Sequence, residues 1–152
     1  MVMEVNCDVK EINEKEAGRS YEWPRPDICP HCSGVRIWGH GFVWACFECF
    51  LEGLYLKRYR CPCCGCVIRM KPRGYFQGFS VPAATIRASI ACRLNGGSWS
   101  KNLSCSRQVH WIRALIRQVT AHLGLEWRDR LLEGFNDLVA KGIIPVSRSF
   151  NA

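Results

Sequence analysis

Eight of the eleven cysteines lie between Cys29 and Cys66. They open and close that segment as Cys-x-x-Cys turns: Cys29-Pro30-His31-Cys32 at one end, Cys61-Pro62-Cys63-Cys64-Gly65-Cys66 at the other. In such a turn two thiolates and a few backbone amides can face one metal ion. Two turns separated by the 28 residues from Ser33 to Arg60 predict a four-thiolate zinc ribbon. Disulfides, or buried thiols packed as small hydrophobes, fit less well, because Pro-x-Cys turns waste the packing value of a cysteine. Met1 to Lys15 is acidic and interrupted, without the basic-then-apolar order of a signal peptide. No stretch approaches the roughly 18 continuous apolar residues that a membrane span requires. The expectation is a cytoplasmic chain with no membrane contact, in whose reducing surroundings clustered cysteines hold metal.

A ribbon of this size takes much of its folding free energy from the metal. The remainder must therefore bury a core of its own, and six Trp and seven Phe provide material for one. Charge divides the chain further. Residues 1–27 hold seven acids and four bases, residues 28–122 thirteen bases and two acids, and residues 123–152 four of each. Four thiolates on a divalent ion would subtract about two charges from the middle block. The excess that remains suits a polyanion.

Val35–Trp44 and Leu54–Arg60 are rich in β-branched and aromatic residues and read as a hairpin, with basic residues on both faces of the second strand. Val67–Met70 reads as a short third strand. Pro82 suits the first turn of a helix carrying Ile86, Ile90 and Leu94, which Asn95-Gly96-Gly97 ends. Ser98–Leu103 allows one or two helical turns. In Ser106–Leu123 the residues Val109, Ile112, Ile116, Val119 and Leu123 draw one apolar stripe. A last helix spans about Glu126 to Lys141, with Trp127, Leu131, Phe135, Leu138 and Val139 on one side, ended by Gly142. The expected fold is a small α+β chain: a polar tail (1–27), the ribbon (28–71), a basic connector (72–81), a helix-turn-helix-like segment (82–124), and a C-terminal helix and tail (125–152).

In a helix-turn-helix the second helix of the turn enters the DNA major groove. The face of Ser106–Leu123 opposite its stripe holds Arg107, His110, Ala114 and Gln118, flanked by Arg113, Arg117 and Trp111. Arginine reads guanine edges and phosphates, and glutamine reads adenine. With Lys57, Arg58 and Arg60 of the ribbon, Lys71 and Arg73 of the connector, and Lys101, these define the expected nucleic-acid contacts.

The motifs Cys29-Pro30-His31-Cys32, Gly39-His40-Gly41, Arg58-Tyr59-Arg60-Cys61-Pro62-Cys63-Cys64-Gly65 and the following Pro72 resemble the zinc-ribbon plus helix-turn-helix proteins carried by bacterial transposons and insertion sequences. The resemblance spans residues 28–123. It implies Cys29, Cys32, Cys61 and Cys64 as the metal ligands, and a helical DNA-binding segment after the ribbon. Three departures stand out: Ser33 occupies a position where the first knuckle usually has glycine, the middle helix is truncated, and Cys46-Phe47-Glu48-Cys49 is an insertion.

Cys46, Cys49, Cys63 and Cys66 could bind a second zinc only if the hairpin folded back, or if another chain or His40 contributed. Its tip lies some seven residues from the knuckle, about 20 Å along a strand. One zinc is expected. No catalytic constellation is visible: two acids in 95 residues cannot build an acidic metal triad, no Gly-rich phosphate loop is present, and a fully thiolate-ligated zinc has no position open for water. The reading is a non-catalytic, zinc-dependent DNA-binding accessory or regulatory protein of a mobile element, with double-stranded DNA as partner. The alternatives are an adaptor joining proteins, or a second copy of itself, through residues 126–141, and a single-strand or RNA binder using Tyr55, Tyr59, Trp38 and Trp44.

Overall fold

Apolar and polar residues alternate in Leu54-Tyr55-Leu56-Lys57, and Phe42 and Trp44 supply large side chains to the preceding strand, so this region forms a β-hairpin. The computed structural model describes residues 1–48 and 53–148. It is an α+β chain of two units, Met1–Val81 and Pro82–Ala152.

In the first unit β1 (Val2–Val5), β2 (Trp38–Ala45), β3 (Leu54–Arg60) and β4 (Val67–Pro72) form one mixed sheet of order β1-β4-β3-β2. β2 and β3 pair antiparallel with a bulge between Gly39 and Phe42, β3 and β4 pair antiparallel, and β1 joins β4 in parallel. Residues 1–27, expected as a tail or a short appended helix, thus supply a strand. They also supply α1 (Val9–Asn13), whose Asp8 side chain caps the Glu11 N–H at 3.0 Å, and Val5, Val9 and Ile12 are buried. The strand is four residues long, and its partner is more than sixty residues away, so local periodicity carries almost no trace of it. A turn at Glu16–Gly18 then lays residues 18–23 across one face of the sheet. The Tyr59 hydroxyl donates to the Trp23 carbonyl at 3.0 Å, and the Arg19 guanidinium stacks on Tyr55 at 4.1 Å. Gly18 is required there: its φ is +96°, and a Cβ would sit 2.5 Å from the Tyr55 carbonyl oxygen.

The second unit is helical, with α2 (Ala83–Gly96), α3 (Cys105–His122) and α4 (Leu131–Ala140) each packing against the other two. Gly97 ends α2 in the left-handed region and donates to the Arg93 carbonyl at 3.0 Å. Ser98–Leu103 is a turn, not a helix. The buried Gln108 side chain accepts from the Ser100 N–H and donates to the Ser100 and Leu103 carbonyls, each at 2.9 Å, so backbone bonds that a short helix would make internally go to one glutamine. The expected Glu126–Lys141 helix is broken as well. Leu125–Arg130 is 3-10, and Arg130 leaves helical geometry (φ −127°, ψ 47°) before α4 begins. Among the described residues no helix is long and apolar enough to cross a membrane.

Candidate metal centre and basic surfaces

The two Cys-x-x-Cys turns have one geometry twice over. In the first, the Ser33 N–H donates to the Cys29 carbonyl and the Cys29 N–H to the Gly34 carbonyl, both at 2.8 Å. In the second, Gly65 donates to Cys61 and Cys61 to Cys66, both at 2.9 Å. Each turn passes through the left-handed region at its fifth residue, with φ 59° at Ser33 and 72° at Gly65. The glycine missing from the first knuckle is therefore replaced by a serine that carries the strain. Gly34 is closely packed: a Cβ there would lie 3.3 Å from the Cys32 sulfur and 3.4 Å from the Cys63 Cβ.

These turns bring the Sγ atoms of Cys29, Cys32, Cys61 and Cys64 within 4.8 Å of one another, and none of the four is in a disulfide. Cys29 and Cys64 are 3.7 Å apart, Cys32 and Cys61 3.6 Å. A tetrahedral ion with metal–sulfur bonds of about 2.3 Å needs edges of about 3.8 Å. Two of the six edges are at that length and all lie within 4.8 Å, so the four sulfurs are close enough to hold an ion. Its thiols are also poised unequally. Burial opposes ionisation of Cys29, but the N–H groups of Cys32 and His31 and the Cys64 thiol outweigh it and bring its pKa down to about 6. The Gly34 N–H favours the Cys32 thiolate, yet the neighbouring sulfurs push that group up. Four thiolates this close need a cation between them. Cys63 is exposed and Cys66 half-buried, both outside the cage. Cys46 is exposed beyond the end of β2, and Cys49 lies outside the described residues. Among the described residues this is the only cluster of His, Cys, Asp or Glu close enough to hold an ion.

Within the first unit the expected nucleic-acid residues do not form one surface. Lys57 stands over the Phe42 ring at 4.5 Å, on the sheet face opposite Arg58 and Arg60. Lys71 pairs with Glu4 at 3.7 Å, and burial lowers its pKa. Arg73 is exposed and donates to the Asn6 side chain at 2.8 Å, and Lys101 is exposed in the turn before α3. On α3 the buried face is Gln108, Trp111, Ala114, Leu115, Gln118 and Val119. That is a rotation of about 100°, one residue's step, from the expected stripe. The reason is size and satisfaction: the Trp111 indole outweighs Val109 or Ile112 in buried area, and both glutamines find backbone partners, Gln118 donating to the Ser147 carbonyl at 3.2 Å.

Ala114 and Gln118 therefore cannot read bases, and Ile112 and Ile116 are only half-buried. Arg107, Arg113 and Arg117 remain exposed. His110 is half-buried and accepts from Arg148 at 3.1 Å, its pKa lowered by burial and then by Arg148, Arg117 and Arg113. The stripe of 126–141 expected to meet a partner is turned inward, with Leu131, Phe135 and Leu138 buried. Of the exposed aromatics expected to stack bases, Trp38 and Trp44 are open to solvent, while Tyr59 is buried and Tyr55 is packed under Arg19.

One feature was missed in the sequence. Arg69 lies directly opposite Arg58 in the β3–β4 register, beside a cleft of about 390 Å³ that also takes in Leu56, Lys71, Phe76 and Phe79. Alternation along Val67–Met70 places Arg69 on the Arg58 face, but only the register shows the two as neighbours. In comparison with known proteins, no family model, curated protein or solved structure matches this chain.

Proposed function

We propose that this chain is a non-catalytic, zinc-stabilised nucleic-acid-binding protein, an accessory or regulatory factor of a mobile genetic element that meets double-stranded DNA. The carrying observation is a closed four-thiolate cage within a block of thirteen bases and two acids, whose Arg36, Arg60, Arg113 and Arg117 are exposed. Zinc suits the cage because it prefers tetrahedral thiolate sites, and a site closed by four protein ligands organises structure and does not activate water. Ser106, His110, Arg113 and Arg117, which follow one another along the same face of α3, are the side chains offered to a duplex. The motif resemblance of the two knuckles supports the mobile-element assignment.

Fluorescence anisotropy with duplex DNA at stepped salt concentrations tests the reading. Affinity is expected to fall linearly on a log–log plot, with a slope near −0.9 per neutralised phosphate. Arg113→Gln with Arg117→Gln should weaken duplex binding and shorten the slope by about two. Salt-independent association, or none with any nucleic acid, overturns the proposal.

A further inference from the structure

Like charges directly opposite each other on one sheet face are destabilising. Arg58 and Arg69 hold that relation across β3 and β4. Among the described residues neither is paired with a carboxylate, and the Arg58 Nε is buried without a hydrogen-bond partner. Lys71 lies two residues further along the same face, so three cations meet a single acid, Glu4. Arg60 continues the row and pairs in register with Trp38, which is 57% exposed. A surface built this way lacks an anion.

The row runs into the cleft, and the cleft says which anion. Arg69 and Lys71 line it together with Phe76 and Phe79, which come from a tight turn where Gly78 has φ +80° and the Phe79 N–H donates to the Phe76 carbonyl at 3.1 Å. Its volume of about 390 Å³ is at the small end of ligand sites, which run from about 300 to 1,000 Å³. Cations and aromatic rings lining one small space suit a phosphate joined to a flat base. A duplex keeps its bases stacked inside and cannot place one here without flipping it out.

We propose that this sheet face binds single-stranded nucleic acid, with one unpaired base in the cleft against Phe76 and Phe79 and its phosphates on Arg58, Arg69 and Lys71. The exposed Trp38, beside Arg60, offers a second stacking position at the far end of the row. The inference rests on the nucleic-acid reading above but uses a different surface, so the two can fail separately.

The test uses the full zinc-loaded chain, a labelled phosphorylated peptide for comparison, and three labelled nucleic-acid probes: an eight-nucleotide single strand, its abasic counterpart of equal charge, and a duplex. The single strand is expected to bind at least tenfold tighter than the abasic probe. Phe79→Leu should remove about five- to a hundredfold of that affinity, the scale of one base–aromatic stack. Arg69→Gln should weaken single-strand binding at least tenfold while melting no lower than the parent, since it also removes the like-charge pair. Arg113→Gln with Arg117→Gln should leave single-strand binding unchanged. Equal affinity for the base-containing and abasic strands overturns the proposal, as does parental single-strand binding by folded Arg69→Gln and Phe79→Leu. Tighter binding of a phosphorylated peptide than of the oligonucleotide also overturns it. Duplex binding that ignores both cleft substitutions, with no single-strand affinity, overturns the cleft and leaves the general function standing. Absence of binding to all three probes overturns both.

Discussion

At the scale of single residues the four cage cysteines differ sharply from their neighbours in sequence. Cys61 and Cys64 aim sulfurs at Cys29 and Cys32, whereas Cys63, one bond away along the chain, points to solvent. Cys29→Ser or Cys64→Ser should therefore abolish zinc retention, and Cys46→Ser or Cys63→Ser should leave one ion per chain by elemental analysis. Ser33 offers a finer test. A left-handed residue with a Cβ costs about 1–2 kcal/mol, so Ser33→Gly should stabilise the zinc-bound protein by about 1 kcal/mol in denaturant titration. Gly65→Ala should cost a similar amount at the matching point of the other knuckle. The two turns were legible in the sequence, because a Cys-x-x-Cys turn is local chemistry with few ways to fold; the choice of Cys61 and Cys64 over Cys63 and Cys66 came from the motif resemblance, and the four sulfurs do lie together.

Among the elements, α3 shows how far a periodic pattern can mislead. Five aliphatic residues at helical spacing predict the core stripe, but burial follows Trp111 and Leu115, with Gln108 and Gln118 carried inward beside them. Buried polar groups are tolerated when hydrogen-bonded, and here the carbonyls of residues 100, 103 and 147 provide the partners. None of those partners is predictable from the helix alone. Trp111→Ala should cost about 3–5 kcal/mol and Leu115→Ala about 2–5, measured by chemical denaturation. Ile112→Ala and Ile116→Ala should cost less than half as much, since both side chains keep part of their surface in water. Gln108→Ala would leave the turn carbonyls unpaired, at about 1–3 kcal/mol.

For the whole molecule, the division into two units, each with its own buried residues, has a thermodynamic consequence. The helical unit buries Ile86, Ile90, Leu115, Phe135 and Leu138 and contains none of the cage cysteines. Removing zinc with a strong chelator should lower the melting of residues 1–81 and leave most of the helical circular-dichroism signal in place. A single cooperative loss of both signals on chelation would show that the metal supports the whole chain.

The sequence by itself determined the two Cys-x-x-Cys turns, the hairpin, the third strand and the existence of α2 and α3, because each rests on neighbours within a few positions. Tertiary structure alone decided three things. It enlisted Val2–Val5 as a strand, since parallel pairing with β4 is satisfied by backbone groups that any residue carries. It turned α3 by one step, since burial is settled by the summed area of contacting side chains and not by their spacing. It set Arg58 against Arg69, since register is a relation between two strands that neither strand encodes alone.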